Sequence, residues 1–304
     1  MAFLDGLVRR ADNKLEKEKE KEKRTLANID NDQATGILKR LSGGSVEYSK
    51  KIVDNIVLFM SASGGAGAST LIANVAYCAY KKCMRVLVID LDVLLPTQQM
   101  YFGVKQELVK PDLVDYLLGK IVLGESIDKT PIVSLIFANN RGLMDSINSE
   151  SDQAIGNFVT AMAGLRSLYD LIMIDCPNKV ENALCNTAMY IADTIYMVWD
   201  EGISSIANTD KIRRNMASSG IDAYTKMRVI LNKRTDINYG KYPFEKLNID
   251  MVECIPFDPD IIAASLESKI FCQNGASTSK NAGYFITRVE NLTSKIMDIG
   301  GYIK

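Results

Sequence analysis

Histidine is absent from this 304-residue chain, which removes histidine-based triads and histidine metal sites from consideration. Six cysteines, at positions 78, 83, 176, 185, 254 and 272, include no C-x-x-C pair, so reduced structural thiols in a cytosolic protein are expected. No apolar stretch reaches the roughly eighteen residues that a membrane-spanning helix needs, and no signal peptide is recognisable. The expectation is a cytoplasmic protein that neither spans a membrane nor is exported. A basic excess is missing as well: 36 Lys and Arg stand against 37 Asp and Glu, a net charge of −1. Nucleic acid is therefore not indicated as a general partner, which leaves room only for a local basic patch. The most telling absence is local. Ser61-Ala62-Ser63-Gly64-Gly65-Ala66-Gly67-Ala68-Ser69-Thr70 has the shape of a phosphate-binding loop and contains no lysine.

What surrounds that loop is informative. Ile56 to Met60 is a continuous apolar run of strand length, and Leu71 to Tyr80 repeats its apolar residues at helical spacing through Leu71, Ile72, Val75, Ala76 and Ala79. A glycine-rich turn between a buried strand and a helix lets backbone N–H groups converge on an anion at the helix N-terminus, with a hydroxyl such as Ser69 in reach of a magnesium ion. Further apolar runs of strand length span Arg85 to Asp90, Val133 to Ala138, Tyr169 to Asp175, Thr194 to Trp199, Met227 to Asn232 and Met251 to Ile255, alternating with helical stretches. The last of these helices carries Ile286, Val289, Leu292, Ile296 and Ile299 on one face. This pattern predicts an α/β fold, a doubly wound and mainly parallel sheet with helices on both faces. With 47% apolar residues, the length suits one sizeable domain, residues 51–304, plus an appendage.

The appendage is residues 1–50. Lys14 to Arg24 reads K-L-E-K-E-K-E-K-E-K-R, a charged run with no apolar face to bury, expected as a solvated helix or disordered linker. Ahead of it, Phe3, Leu4, Leu7 and Val8 share one helical face, followed by Arg9 and Arg10. Such an amphipathic tip suits peripheral contact with the inner face of the membrane or docking on a partner. The alternatives are packing on its own domain or disorder, and Gly6 weakens so short a helix.

With strand, loop and helix in place, the chain resembles the ParA/MinD superfamily of deviant P-loop ATPases, whose loop reads roughly K-G-G-x-G-K-[ST]-[ST]; here the frame reads S-G-G-A-G-A-S-T. Three further segments align in order: Val86 to Asp92, Tyr169 to Pro177, and Ile255 to Asp260. The resemblance runs from about Val53 to the C-terminus. It implies ATP or ADP with Mg2+ as cofactors. Ser63, Gly64, Gly65, Ala66, Gly67, Ala68, Ser69 and Thr70 match the phosphate loop. By resemblance, Ser69, Asp90 and Asp175 fall to the metal, Asp92 matches the carboxylate that positions the attacking water, and Pro256 to Asp260 matches a segment that closes over the base. Asn232, with Lys233, stands at a strand end where its amide suits adenine, or forms an ordinary turn. A lone carboxylate at a strand end is more often a cap or turn former; the ordered set favours a nucleotide site. Pro256 and Pro259 lack N–H donors, so their segment is expected to stay out of the sheet.

Both family lysines are missing, replaced by Ser63 and Ala68. One lysine about 4 Å from a phosphate charge contributes on the order of 4 kcal/mol at an effective dielectric near 20, before desolvation is deducted. Even half of that exceeds tenfold in affinity. The first family lysine also reaches into the partner of a dimer, which Ser63 is too short to do. Lys179, Lys211, Arg213 and Arg214 are the nearest substitutes in sequence. The loop wording is most similar to the TadZ/CpaE pilus-localisation branch. That implies a homodimeric, nucleotide-binding positioning protein for a pilus or secretion assembly, with weak or lost hydrolysis. Two alternatives stay open: an active ATPase for plasmid or chromosome partition or division-site placement, and a subunit like the bacterial tyrosine kinases, which Asp92 to Gln98 also resembles. Tyr302 alone does not make the tyrosine-rich tail of those kinases.

Overall fold

A computed structural model describes residues 54–105, 110–139, 151–178, 182–235, 249–274 and 280–299, all within the compact unit Asp54–Lys304. The expected tip and charged run of residues 1–50, together with Lys179 and Tyr302, lie outside the described residues. The strands are β1 (Ile56–Ser61), β2 (Val86–Asp90), β3 (Asp128–Lys129), β4 (Ser134–Ile136), β5 (Leu171–Cys176), β6 (Thr194–Trp199), β7 (Met227–Arg234) and β8 (Asp250–Pro256). They form one sheet in the order β3-β4-β2-β5-β1-β6-β7-β8. Among the described residues only the β3–β4 pair is antiparallel. Every residue of β2, β5 and β6 is buried, as their unbroken apolar runs require of strands covered on both faces.

The helices supply that cover. They are α1 (Ala68–Lys81), α2 (Gln98–Tyr101), α3 (Leu113–Leu117), α4 (Asp152–Leu165), α5 (Ala183–Ile191), α6 (Ile203–Ser218), α7 (Ala223–Lys226), α8 (Pro259–Leu266), α9 (Phe271–Asn274) and α10 (Lys280–Ile299). Because strand side chains alternate faces, Val57, Phe59, Val88 and Met173 pack with Leu71 and Val75 of α1 and with Phe285, Val289 and Leu292 of α10. The intervening residues turn the other way. Ile89 and Ile136 meet Leu113 of α3 and Phe158 and Leu165 of α4. Each large side chain so buried contributes about 1.5–3 kcal/mol. The amphipathic C-terminal helix was legible as such: Val289, Leu292 and Ile296 are buried and Ile286 is partly so, while the side chain of Ile299 lies outside the described residues.

This arrangement sets the phosphate-loop strand at the centre. β1 pairs with β5 on one side and β6 on the other, and β5 separates β1 from β2, so the α1 connection passes over a strand that comes later in the chain. The carboxyl ends of β1, β2 and β5 lie side by side, with Asp90 directly opposite Asp175. One expectation is corrected. Pro256 does join the sheet, as the last residue of β8, in register with Arg234. β8 is an edge strand, where a missing N–H leaves no second neighbour unsatisfied, and the next N–H, of Phe257, donates to the Arg234 carbonyl at 2.7 Å. All six cysteines are unbridged. No described helix is long and apolar enough to cross a membrane.

Candidate functional site

The loop after β1 is held from outside by side chains that take its carbonyl oxygens. Asn178 and Asn208 donate to the Ala62 carbonyl at 3.2 and 2.8 Å. Lys233 Nζ donates to the Gly65 carbonyl at 2.5 Å, and Asn232 Nδ2 to the Ala66 carbonyl at 2.7 Å. In a trans peptide the C=O and the following N–H point in opposite directions, so tying these carbonyls outward aims N–H groups such as that of Gly67 inward. Gly67 has φ 98° and ψ 26° and no side chain of its own to cap the helix it opens; the Ala68 N–H donates to Ser61 Oγ at 3.3 Å. Its glycine identity is doubly required: a Cβ there would lie 2.6 Å from Asn232 Nδ2, in a left-handed backbone. A Cβ at Gly64, by contrast, would meet nothing within 4 Å, so the loop is open at that point. The first N–H groups of α1 have no intrahelical partner.

The two positions without lysine differ in their surroundings. Ala68 is buried in the core cluster under the loop. Ser63 is also buried. Its hydroxyl donates to Asp200 Oδ2 at 2.7 Å, while Ser205 donates to Asp200 Oδ1 at 2.6 Å. Burial raises the Asp200 carboxyl, but hydrogen bonds from Ser205, Ser63 and the Gly202 amide outweigh it and hold the group below its ordinary range. Ser63 is thus turned into its own subunit. Sequence reasoning missed Asp200 and Ser205; neither stands in a recognisable motif.

On the opposite flank stand the carboxylates. Asp90 is 1% exposed and accepts from the Asp92, Thr97 and Gln98 amides at 3.0, 2.8 and 3.0 Å. Burial, and then the Asp175 charge, nevertheless push it up to about 8. Asp175 is also raised by burial, against hydrogen bonds from Gln98 and Ser69. Among the described residues no basic side chain pairs with either. Gln98, fully buried, donates to Asp175 Oδ2 at 2.6 Å and to the Ser69 carbonyl at 3.1 Å, while its Oε1 has no partner. This glutamine is a third residue that sequence reasoning passed over, although it closes the Asp92 to Gln98 phrase. Asp92 is half-buried and caps a turn, accepting from the Leu94 and Leu95 amides. No three His, Cys, Asp or Glu among the described residues are grouped to hold a metal unaided.

The remaining expected residues scatter. Thr70 turns its hydroxyl to Tyr101 of α2, 3.0 Å away. Pro256 lies at the end of the edge strand. Of the proposed substitute cations, Arg213 stacks over the Tyr224 ring at 4.6 Å and Arg214 pairs with Asp210; Lys211 is exposed on α6. Lys233, considered beforehand only alongside Asn232, is a lysine that the fold brings to the loop.

The AAA_31 family model, described as an AAA domain, matches residues 54–218. The chain belongs to this family. Its relatives and structural neighbours include MinD proteins and a ParA family ATPase. The septum site-determining protein MinD of Thermotoga maritima is 24% identical over 257 residues, covering 81% of this chain and 89% of that protein. Two solved structures share the fold. MinD of Pyrococcus horikoshii OT3, complexed with Mg-ADP, gives a TM-score of 0.64 at 22% identity, over 81% of this chain and 97% of that one. A ParA family ATPase of Chlorobium tepidum TLS gives 0.65 at 18% identity, over 80% and 99%. The doubly wound fold expected from the sequence is the one observed.

Proposed function

We propose that this AAA-domain protein is a nucleotide-binding, dimer-forming positioning protein with weak or lost ATP hydrolysis, serving as a scaffold for a bacterial pilus or secretion assembly. The observation that carries the reading is the helix N-terminus behind Gly67, which Gly67 has no side chain to cap, beside two buried carboxyl groups with which no basic side chain among the described residues pairs. Free N–H groups at a helix start favour an anion; adjacent buried carboxylates favour a cation. A magnesium-bound nucleotide brings both charges in one ligand. The donor set fits it. Gly64 leaves the loop open, and Gln98 Oε1 is an unused acceptor beside Asp175. Mg2+ keeps several waters and phosphate oxygens and so needs few protein ligands.

In this reading the backbone of Gly65 to Thr70 cradles phosphates, Ser69 and Asp175 face the ion, Asp92 is the carboxylate for a hydrolytic water, and Asn232 and the Pro256 to Asp260 segment flank the base. Asp90 organises the turn that presents Gln98. When bound, the nucleotide supplies the phosphate oxygens and the scissile anhydride. Ala68 offers no charge to the phosphate whose charge spreads during transfer, and Ser63, bound to Asp200, has nothing to extend across a dimer. Residues 1–50 are the candidate recruiting segment, toward a partner or an anionic membrane surface. A peptide of Met1 to Lys14 that ignores anionic liposomes would exclude the membrane role. An active partition or division-site ATPase is the second reading, favoured by Lys233 at the loop.

Calorimetric titration with Mg-ATP, alongside light scattering and phosphate release, tests the proposal. Micromolar binding that drives dimerisation without phosphate release is expected. No binding up to millimolar nucleotide overturns the nucleotide site, and steady phosphate release selects the second reading.

A further inference from the structure

We propose that Lys233, at the end of β7, is the cation of the phosphate loop, supplying from a neighbouring strand the charge that the loop itself lacks. The inference rests on the nucleotide reading above and deepens it. In a regular strand, successive side chains point to opposite faces. Asn232 and Lys233 are consecutive, yet both reach the loop, donating to the Ala66 and Gly65 carbonyls. The backbone explains how. Leu231 opposes Cys254 and Arg234 opposes Pro256, so β7 carries one residue more than β8 across this interval. That is a β-bulge, a device that re-aims side chains and gathers at functional sites. Lys233 itself sits at φ 56°, a left-handed conformation uncommon for a residue other than Gly, Asn or Asp.

What the bulge delivers is a cation to the loop. Lys233 Nζ rests 2.5 Å from the Gly65 carbonyl, and its Cε lies 3.6 Å from where a Cβ on Gly67 would stand. Among the described residues no carboxylate pairs with it. A strained backbone that places an ammonium on a glycine loop is unexpected for a plain turn, where Asn-Gly or Asp-Gly would serve. The ammonium raises the potential of the cradle, and its effect therefore grows with the charge of the bound phosphates.

The test is binding of AMP and Mg-ADP to the full chain by calorimetry, at low and high salt, for the parent protein and for Lys233→Met, Lys233→Arg and Lys233→Met with Ala68→Lys. Apo melting curves control for folding. Lys233→Met is expected to lose about tenfold in Mg-ADP affinity at low salt and markedly less for AMP, with weaker salt dependence than the parent. Lys233→Arg retains most of the affinity, and Ala68→Lys restores it in the Met background. Parental Mg-ADP binding by a folded Lys233→Met overturns the role of Lys233 and leaves the nucleotide site standing. Equal losses for AMP and Mg-ADP also overturn it, because they mark a contact with the base or a purely structural brace. If the parent binds neither ligand, the nucleotide reading falls and this proposal with it.

Discussion

The two flanks of the phosphate loop are built on opposite electrostatic plans. Toward β2 and β5 the site is built of buried carboxyl groups: Asp90 and Asp175 lie beside each other, both held above their ordinary range. Toward β7 it is donor-rich: Asn232 and Lys233 hold the carbonyls of Ala66 and Gly65. A loop with no lysine of its own is thereby polarised from its surroundings. The lesson is that the charge of a phosphate site belongs to the strand ends around it as much as to the loop motif, because at contact distances in a partly buried site a cation's sequence position is irrelevant to its field.

The strongest way to break the comparison is to destroy the cradle between the flanks. Gly67→Val adds a Cβ 2.6 Å from Asn232 Nδ2 at a φ of 98°. It is expected to lower nucleotide affinity by at least about a hundredfold and stability by about 1–3 kcal/mol, read by calorimetry and urea unfolding. The carboxyl flank is probed by pH. Because the folded Asp90 titrates near 8 rather than at 3.8, the folded protein binds more protons than the unfolded chain between those values, and stability falls as pH rises through that window. The apo protein is expected to lose on the order of a few kcal/mol between about pH 4 and 8. Asp175→Asn, which removes the neighbouring charge, should flatten the decline, and a slope identical to the parent's would refute the coupling.

The donor flank is sharpened by restoring lysines. Ser63→Lys with Ala68→Lys should raise ATP affinity by about tenfold or more and speed turnover; an unchanged, inactive double variant would mean that other parts of the site have decayed. Smallest is the loss of one brace. Asn208→Ala removes one of the two side-chain donors to the Ala62 carbonyl, leaving Asn178, and should cost about 1 kcal/mol in thermal or urea unfolding, with only a modest change in nucleotide affinity.

Much of the fold was readable because its signals are local. Thr194 to Trp199 was expected as a strand and is one, and the helical spacing read over Leu71 to Tyr80 lies within the observed helix Ala68–Lys81. The two-residue β3 and the four-residue helices α2, α7 and α9 were not anticipated, since elements so short have no period to read. Pro256 was misread as outside the sheet because its tolerance depends on lying at an edge, which is a property of strand order. At the site, the glycines and aspartates were legible as a spaced motif. Gln98, Asp200 and Ser205 were not, because single polar residues acquire meaning only from what they face.

By itself the sequence determined the strand–loop–helix unit, the alternation that makes a covered parallel sheet, and the absence of lysine from the loop, all of which follow from nearest-neighbour chemistry and periodicity. Only the tertiary structure decided that β5 would lie between β1 and β2, setting Asp90 against Asp175. It also decided that a bulge would carry Lys233 to Gly65, 168 positions away. Those outcomes depend on strand order and on one unpaired residue in a ladder, and neither leaves a local trace in the chain.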